Sequence, residues 1–315
     1  MKLGVVMDPI ESINFKKDST LAMMLEAQAR EHQLFYMTPS SLYLNGSGAY
    51  ALANTITVKN DSSGWFELNG ESPIRLSELD VILMRQDPPF NSNFIYNTYV
   101  LESAEREGVL VVNKPGSLRD CNEKVFATEF PECCTPFLVT SKASLLKSFI
   151  EDHKDTVIKP LDGMGGSSIF RLRNNDPNLN VILETITDSF MTKVMIQTFI
   201  PEIIDGDKRI LLINGIPMNA AVARVPAKGE LRGNLAAGAT AVARSLTEKD
   251  LWICEQVGPK LKDLGLVLVG LDIIGDYLTE INVTSPTCFR EYENLCDINV
   301  TLSFLDVLED LQKNG

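Results

Sequence analysis

The segment GLDIIGDYLTEIN carries three oxygen-bearing side chains, Asp272, Glu280 and Asn282. Glu280 and Asn282 are two apart on an expected strand, so they share a face. Asp272 precedes a Gly-Asp turn signal. A three-residue loop, Gly275-Asp276-Tyr277, would set Asp272 opposite Glu280. Two carboxylates and an amide oxygen on one sheet face make a hard, oxygen-only set. Such a set suits Mg²⁺ carrying phosphates rather than zinc. The flanking runs VLVGLDII and LTEINV are apolar enough to place both strands inside, where these ligands want a cation. The alternative is three polar side chains on a solvated face. No lysine stands between Glu280 and Asn282 to neutralise them.

A second candidate is KPLDGMGGSS, residues 159–168, with Gly163, Gly165 and Gly166 after an apolar run. A Gly-rich turn after a strand exposes backbone N–H groups that can cradle an anion. Lys159 at the strand end would add a cation. The order of residues is neither that of a Walker A loop nor that of a dinucleotide-binding fingerprint. Taken alone, the stretch fits a plain β-hairpin with a solvated lysine at least as well.

Other chemistries have little to draw on. The 315 residues include only two histidines, His32 and His153, each among charged neighbours and expected to be solvated. The six cysteines show no C-x-x-C spacing, which argues against a zinc site and a disulfide framework and fits a reducing, cytoplasmic setting. A net charge of −13 argues against a broad nucleic-acid footprint. The apolar run of MKLGVVMDPI is too short for a signal peptide, and no stretch has the length of a membrane span.

These residues need elements to position them. KLGVVMD, LFYM, DVILMR and VLVVN read as strands alternating with helices over TLAMMLEAQAREH and IYNTYVLESAEREG, the pattern of a mostly parallel sheet. Asp18 or Ser19 is the expected cap of the first helix. Residues 49–71 read as a hairpin insertion. From about Cys121 the rhythm becomes short strands (FLVT, TVIKP, SIFRL, VMIQTF, KRILLING, MNAAVARV), the pattern of antiparallel sheet with helices. Leu302, Leu305, Leu308 and Leu311 mark the expected buried face of a terminal helix.

A Gly-rich loop after Lys-Pro, followed far downstream by D…E-x-N on paired strands, resembles the ATP-grasp ligases. DGMGGSSIFR, DGDKR, RGNLAAG and TEINVTSPTCFRE, with MDPI, RQDPPF and NKPGSLRDCNEK, resemble the bacterial glutathione synthetases in particular. The resemblance spans nearly the whole chain. It implies an N-terminal parallel-sheet α/β domain (residues 1–121) and then an ATP-grasp fold of two α+β subdomains (122–198 and 199–315).

Lys124 and Lys159 would contact ATP phosphates, with Gly163, Gly165 and Gly166 over them. Gln197, Thr198, Phe199 and Ile200 would hold adenine, and Asp207 would lie near the ribose. Asp272, Glu280 and Asn282 would hold two Mg²⁺ ions, for which Mn²⁺ substitutes. Arg209, Arg224, Arg232 and Asn234 would serve catalysis. Lys17, Arg85, Ser285, Thr287 and Glu291 would hold the substrate. Residues 226–241, small and Gly-rich, would form a mobile lid; Ala239 and Thr240 stand where the family pattern has a glycine and a basic residue.

The implied partners are ATP, γ-glutamylcysteine and glycine, in a cytoplasmic homotetramer without nucleic acid or membrane. The alternatives are another ATP-grasp carboxylate–amine ligase, or a regulatory ATP-binding protein without ligase activity.

Overall fold

The computed structural model describes residues 1–46, 48–163, 165–230, 232–233 and 238–314. The chain begins with β1 (Lys2–Met7), α1 (Ser19–Ala29), β2 (Gln33–Met37), β3 (Leu42–Asn45), β4 (Gly48–Val58) and β5 (Phe66–Arg75). It continues with β6 (Val81–Arg85), α2 (Ser92–Arg106), β7 (Leu110–Val112) and α3 (Pro115–Asp120). These strands form one sheet in the order β3-β4-β2-β1-β6-β7, with β5 on β4. The β2-β1-β6-β7 core is parallel, as βαβ connections require. β4 and β5 form the expected antiparallel hairpin. Asp18 caps α1 by accepting from Leu21 N–H.

A four-stranded antiparallel sheet follows, built from β8 (Phe137–Thr140), α4 (Ala143–His153), β9 (Asp155–Pro160), β10 (Phe170–Arg173), α5 (Leu179–Ile186) and β11 (Val194–Thr198). Its order is β10-β9-β11-β8. The third sheet holds β12 (Asp207–Ile213), β13 (Ile216–Pro217), β14 (Ala221–Val225), β15 (Thr240–Arg244), α6 (Glu248–Asp263), β16 (Leu268–Ile274) and β17 (Tyr277–Asn282), ahead of α7 (Phe289–Cys296) and α8 (Val300–Asn314). Its order is β15-β14-β12-β16-β17, with β13 on β12.

The cores are divided unevenly. Ile82, Phe94 and Leu101 from the first sheet region share a buried cluster with Ile210, Ile253 and Leu271 from the third. Leu3 and Val5 likewise share one with Leu211, Val222, Phe289 and Phe304. The middle sheet has its own small cluster of Leu146, Ile150, Ile158, Leu172, Leu183, Val194 and Ile196.

Two expectations need correction. The buried face of α8 is Val300, Thr301, Phe304, Leu305 and Leu308, while Leu302 is exposed. Steps of three residues drift by 60° per step on a helix of 3.6 residues per turn, so a row of i+3 leucines leaves the core face. His32 is not solvated. Its ring lies between the Met1 amino group and Glu309, at 3.3 and 3.0 Å.

Candidate active site

β16 and β17 pair with Asp272 directly opposite Glu280, as expected, but through a different turn. Ile274 pairs with Tyr277, so the loop is the two residues Gly275-Asp276, with Gly275 at φ +56°. The odd residue is Thr279, bulged out of register, whose hydroxyl donates to the Asp272 carbonyl at 3.0 Å. A β-bulge has absorbed the residue that the longer loop would have taken.

Across the ladder, Arg209 on β12 lies opposite Asp272, and Asp207 lies opposite Arg224 on β14. Arg209 grips Asp272 with two hydrogen bonds, at 2.6 and 3.0 Å. The Arg224 Nη2 donates to Asp207 at 2.5 Å and is 2.9 Å from Asp272. Gly270 makes this possible. A Cβ there would lie 2.8 Å from Arg209 Cδ, so glycine leaves the channel along which Arg209 reaches its partner.

The four charges are mutually neutralising in a low-dielectric setting. Burial opposes ionisation of Asp272, but Arg209 and Arg224 outweigh it and hold the carboxyl well below the usual range. Burial also opposes the Arg209 charge, and Asp272 more than restores it. Asp207 is pushed the other way, up, because its burial outweighs the pull of Arg224. Its Oδ1 is sealed from solvent without a hydrogen-bond partner among the described residues.

The expectation that Glu280 lacks a neutralising lysine fails. Lys124 Nζ donates to Glu280 Oε1 at 2.9 Å and to the Gly163 carbonyl at 2.7 Å. Lys159 Nζ donates to the Thr279 carbonyl at 3.1 Å, and burial lowers its pKa. One lysine thus touches both the Gly-rich turn and the acidic hairpin, and the other reaches the same hairpin.

The turn itself, between β9 and β10, joins a true antiparallel pair. It is a hairpin and also a wall of the cleft. Gly165 and Gly166 have φ of +64° and +75°, and among the described residues beyond its chain neighbours nothing lies within 4 Å of a Cβ built on Gly165. Glycine is needed there for conformation, with open space in front of it.

A cleft of about 700 Å³ lies between the middle and third sheets. Lys124, Lys159, Gly163, Gly165, Gly166, Gln197, Thr198, Phe199, Ile200 and Asp207 line it, and so do Arg209, Arg224, Arg232, Asp272, Glu280, Asn282, Ser285 and Thr287. Lys17, Arg85 and Glu291 do not: Lys17 is exposed. Arg85 is buried behind the cleft, donating to Thr20 Oγ1 at 3.1 Å and to the Pro286 carbonyl at 2.9 Å. Arg232 pairs with Glu230 at 2.6 Å. Asn234, with Leu231 and residues 235–237 of the expected lid, lies outside the described residues.

Several lining residues went unnoticed in the sequence. Arg171 lies over the Phe199 ring at 3.5 Å while gripping Asp155 at 2.7 and 2.6 Å. Glu123, Asp87, Thr284 and Cys288 also face the cleft. Only Glu123 carried a signal, as an acid adjoining Lys124.

Glu280 and Asn282 offer oxygens to a hard divalent cation, whereas both oxygens of Asp272 are held by Arg209 and Arg224, so Asp272 would have to exchange an arginine for a metal. Glu280 Oε2 has no partner among the described residues, and Asn282 spends its Nδ2 on the Gly270 carbonyl at 3.2 Å, leaving Oδ1 unengaged. Among the described residues no three His, Cys, Asp or Glu side chains converge. Two carboxylates and an amide would therefore need phosphate oxygens to complete a shell.

A family model of the prokaryotic glutathione synthetase N-terminal domain matches residues 1–119, and one of the prokaryotic glutathione synthetase ATP-grasp domain matches residues 123–297. The chain belongs to the prokaryotic glutathione synthetase family. It is 56% identical to the glutathione synthetase of Pseudomonas aeruginosa over 98% of its own length and 97% of that protein's. The figure is again 56% for that of Vibrio parahaemolyticus, covering 98% of each. Its fold is that of the ATP-grasp ligase PsnB, solved with its minimal precursor, Mg and ADP, at a TM-score of 0.64 and 16% identity over 99% of this chain and 98% of that one. The function is that of a glutathione synthetase, an ATP-using ligase. No helix among the described residues is long and apolar enough to cross a membrane.

Proposed function

We propose that the enzyme joins γ-glutamylcysteine to glycine while ATP becomes ADP and phosphate. One observation supports this reading most. Lys124, Lys159 and the Gly-rich turn face the Asp272–Glu280–Asn282 hairpin across a single cleft, with Ser285 and Thr287 at its end.

The cysteinyl carboxylate attacks the γ-phosphorus, the bond to the bridging oxygen breaks, and ADP leaves. The glycine amine attacks the resulting acyl phosphate at carbon. The C–O bond breaks, phosphate leaves, and the amine protons pass to solvent. Charge gathers on phosphoryl oxygens and then on a tetrahedral carbon, so catalysis is chiefly positioning and fixed cations.

Lys124 and Lys159 hold phosphates beneath N–H groups of Gly163, Gly165 and Gly166. Residues 197–200 hold adenine, and Asp207 lies at the ribose. Arg209, Arg224 and Arg232, with Asn234, steady the transferring phosphate and the acyl phosphate. Asp272, Glu280 and Asn282 would hold two Mg²⁺ or Mn²⁺ ions, which supply charge neutralisation to the phosphates. Ser285 and Thr287 meet the dipeptide. Arg85 braces their loop through the Pro286 carbonyl. Residues 226–241 cover the acyl phosphate against water. A cytoplasmic homotetramer is proposed on family resemblance.

The test is a screen of ADP release with several γ-glutamyl peptides and acceptor amines. Release should be fastest with γ-glutamylcysteine and glycine together, with glutathione as product. A faster reaction with another pair would reassign the substrate.

A further inference from the structure

The residue before Lys124 has no part in the reaction as described, yet it holds the site's two halves together. Glu123 Oε1 accepts three hydrogen bonds, from Val283 N–H at 2.9 Å, Thr284 N–H at 3.0 Å and Thr284 Oγ1 at 2.9 Å. Its backbone carbonyl accepts a fourth, from Ile281 N–H at 2.9 Å. Glu123 therefore grips the strand that carries Glu280 and Asn282 exactly where that strand becomes the loop bearing Ser285 and Thr287. On its other side Asn122 donates from Nδ2 to the Leu161 carbonyl, at the root of the Gly-rich turn. Asn122 Oδ1 accepts from the N–H groups of Lys124 and Val125.

We propose that Glu123 is a positioning residue for ligation, fixing the peptide-binding loop against the phosphate-binding lysine beside it. This rests on the proposed substrate pair. The physical case is one of preorganisation. Without an acceptor, two backbone donors and a hydroxyl lose their partner at the point where the loop leaves the sheet. The loop would then sample other positions, and a ligand that depends on it would bind more weakly. The nucleotide side has its own anchors in Lys159 and β11 and would feel this less. Glu123 also lines the cleft, and its Oε2 has no partner among the described residues, so a direct role for the charge is the competing outcome.

The experiment uses the full chain with Glu123→Ala and Glu123→Gln, measuring KM and kcat for ATP, γ-glutamylcysteine and glycine, and nucleotide affinity by calorimetry. Glu123→Ala should raise KM for γ-glutamylcysteine about 10-fold, ~1.4 kcal/mol, and leave nucleotide affinity within about twofold. Glu123→Gln keeps an acceptor oxygen and should recover most of the loss. A glutamine variant as impaired as the alanine one overturns the proposal in favour of the charge. Equal losses for ATP and peptide, or no loss at all, overturn it outright. If Glu123→Ala does not fold, Thr284→Val removes one of the three donors and should give a smaller loss confined to the peptide; no such selectivity would count against the proposal. A wild-type protein inactive with this substrate pair would refute the functional reading instead.

Discussion

The middle sheet and the two outer sheets are built on different principles. The first and third sheets are distant in sequence yet share two apolar clusters, so Phe94 and Leu271, or Leu3 and Phe304, belong to common cores. The middle sheet keeps a small core to itself. Among its links to the rest are hydrogen bonds from Asn122 to the Leu161 carbonyl, Lys124 to the Gly163 carbonyl and Lys159 to the Thr279 carbonyl. Apolar packing is hard to slide, whereas a polar seam can exchange one partner for another or for a phosphate. The difference places the acidic hairpin on the stiff part of the molecule and the Gly-rich turn on the part that can move against it.

Paired core truncations should expose that difference most strongly. Phe304→Ala removes a fully buried ring that meets Phe289 edge-on, and should cost ~3–5 kcal/mol. It should lower the main thermal transition and take ligase activity with it. Leu183→Ala on α5, in the core of the middle sheet, should cost ~2–5 kcal/mol locally. It should split off an earlier transition that nucleotide shifts upward by mass action. A single transition moved equally by both variants, in calorimetry, would mean that the regions do not differ as described.

The two walls of the cleft offer the next contrast. Glu280→Gln keeps the shape of the hairpin and removes a charge now balanced by Lys124, so turnover should fall by about 100-fold or more, the scale of losing one electrostatic stabiliser. Nucleotide affinity measured at low Mg²⁺ should change far less. Gly165→Val acts on the opposite wall. A β-branched residue at φ +64° is strained and projects into the open cleft. Nucleotide binding should weaken about 10-fold, with the loss appearing in KM for ATP. A calorimetric affinity equal to wild type would reduce the turn to a hairpin connection.

Much of this was legible because it is local. The strand alternation around Glu280 and Asn282 needs only two residues of context, and the parallel sheet follows from regular βαβ spacing. The bulge at Thr279 was not, because turn length and bulge trade off without changing which residues face each other. The pairing of Lys124 with Glu280 joins residues 156 apart and leaves no local pattern. The hold of Glu123 on Val283 and Thr284, and the placement of Arg171 over Phe199, are similarly products of tertiary packing. Lys17, Arg85 and Glu291 show the reverse case, where residue type suggested a substrate contact and the fold set the side chains off the cleft.

The smallest effect expected concerns the cysteines, all free. Burial pushes the thiols of Cys121 and Cys133 up to about 11, and those of Cys134 and Cys254 up to about 12. Few thiolates exist at pH 8, so alkylation of these four should be slow in the folded protein and fast in urea. Rapid labelling of Cys134 with nucleotide absent, found by peptide mapping, would show that the rim of the cluster shared by the first and third sheets, against which Cys134 packs, opens more readily than its packing suggests.

The most direct measurement of the whole reading is the stoichiometry of the wild-type protein with ATP, Mg²⁺, γ-glutamylcysteine and glycine. One ADP should appear for each glutathione formed, and steady release should require both the dipeptide and the amino acid. Steady ADP release without the dipeptide, or ADP accumulating with both present and no glutathione formed, would contradict it.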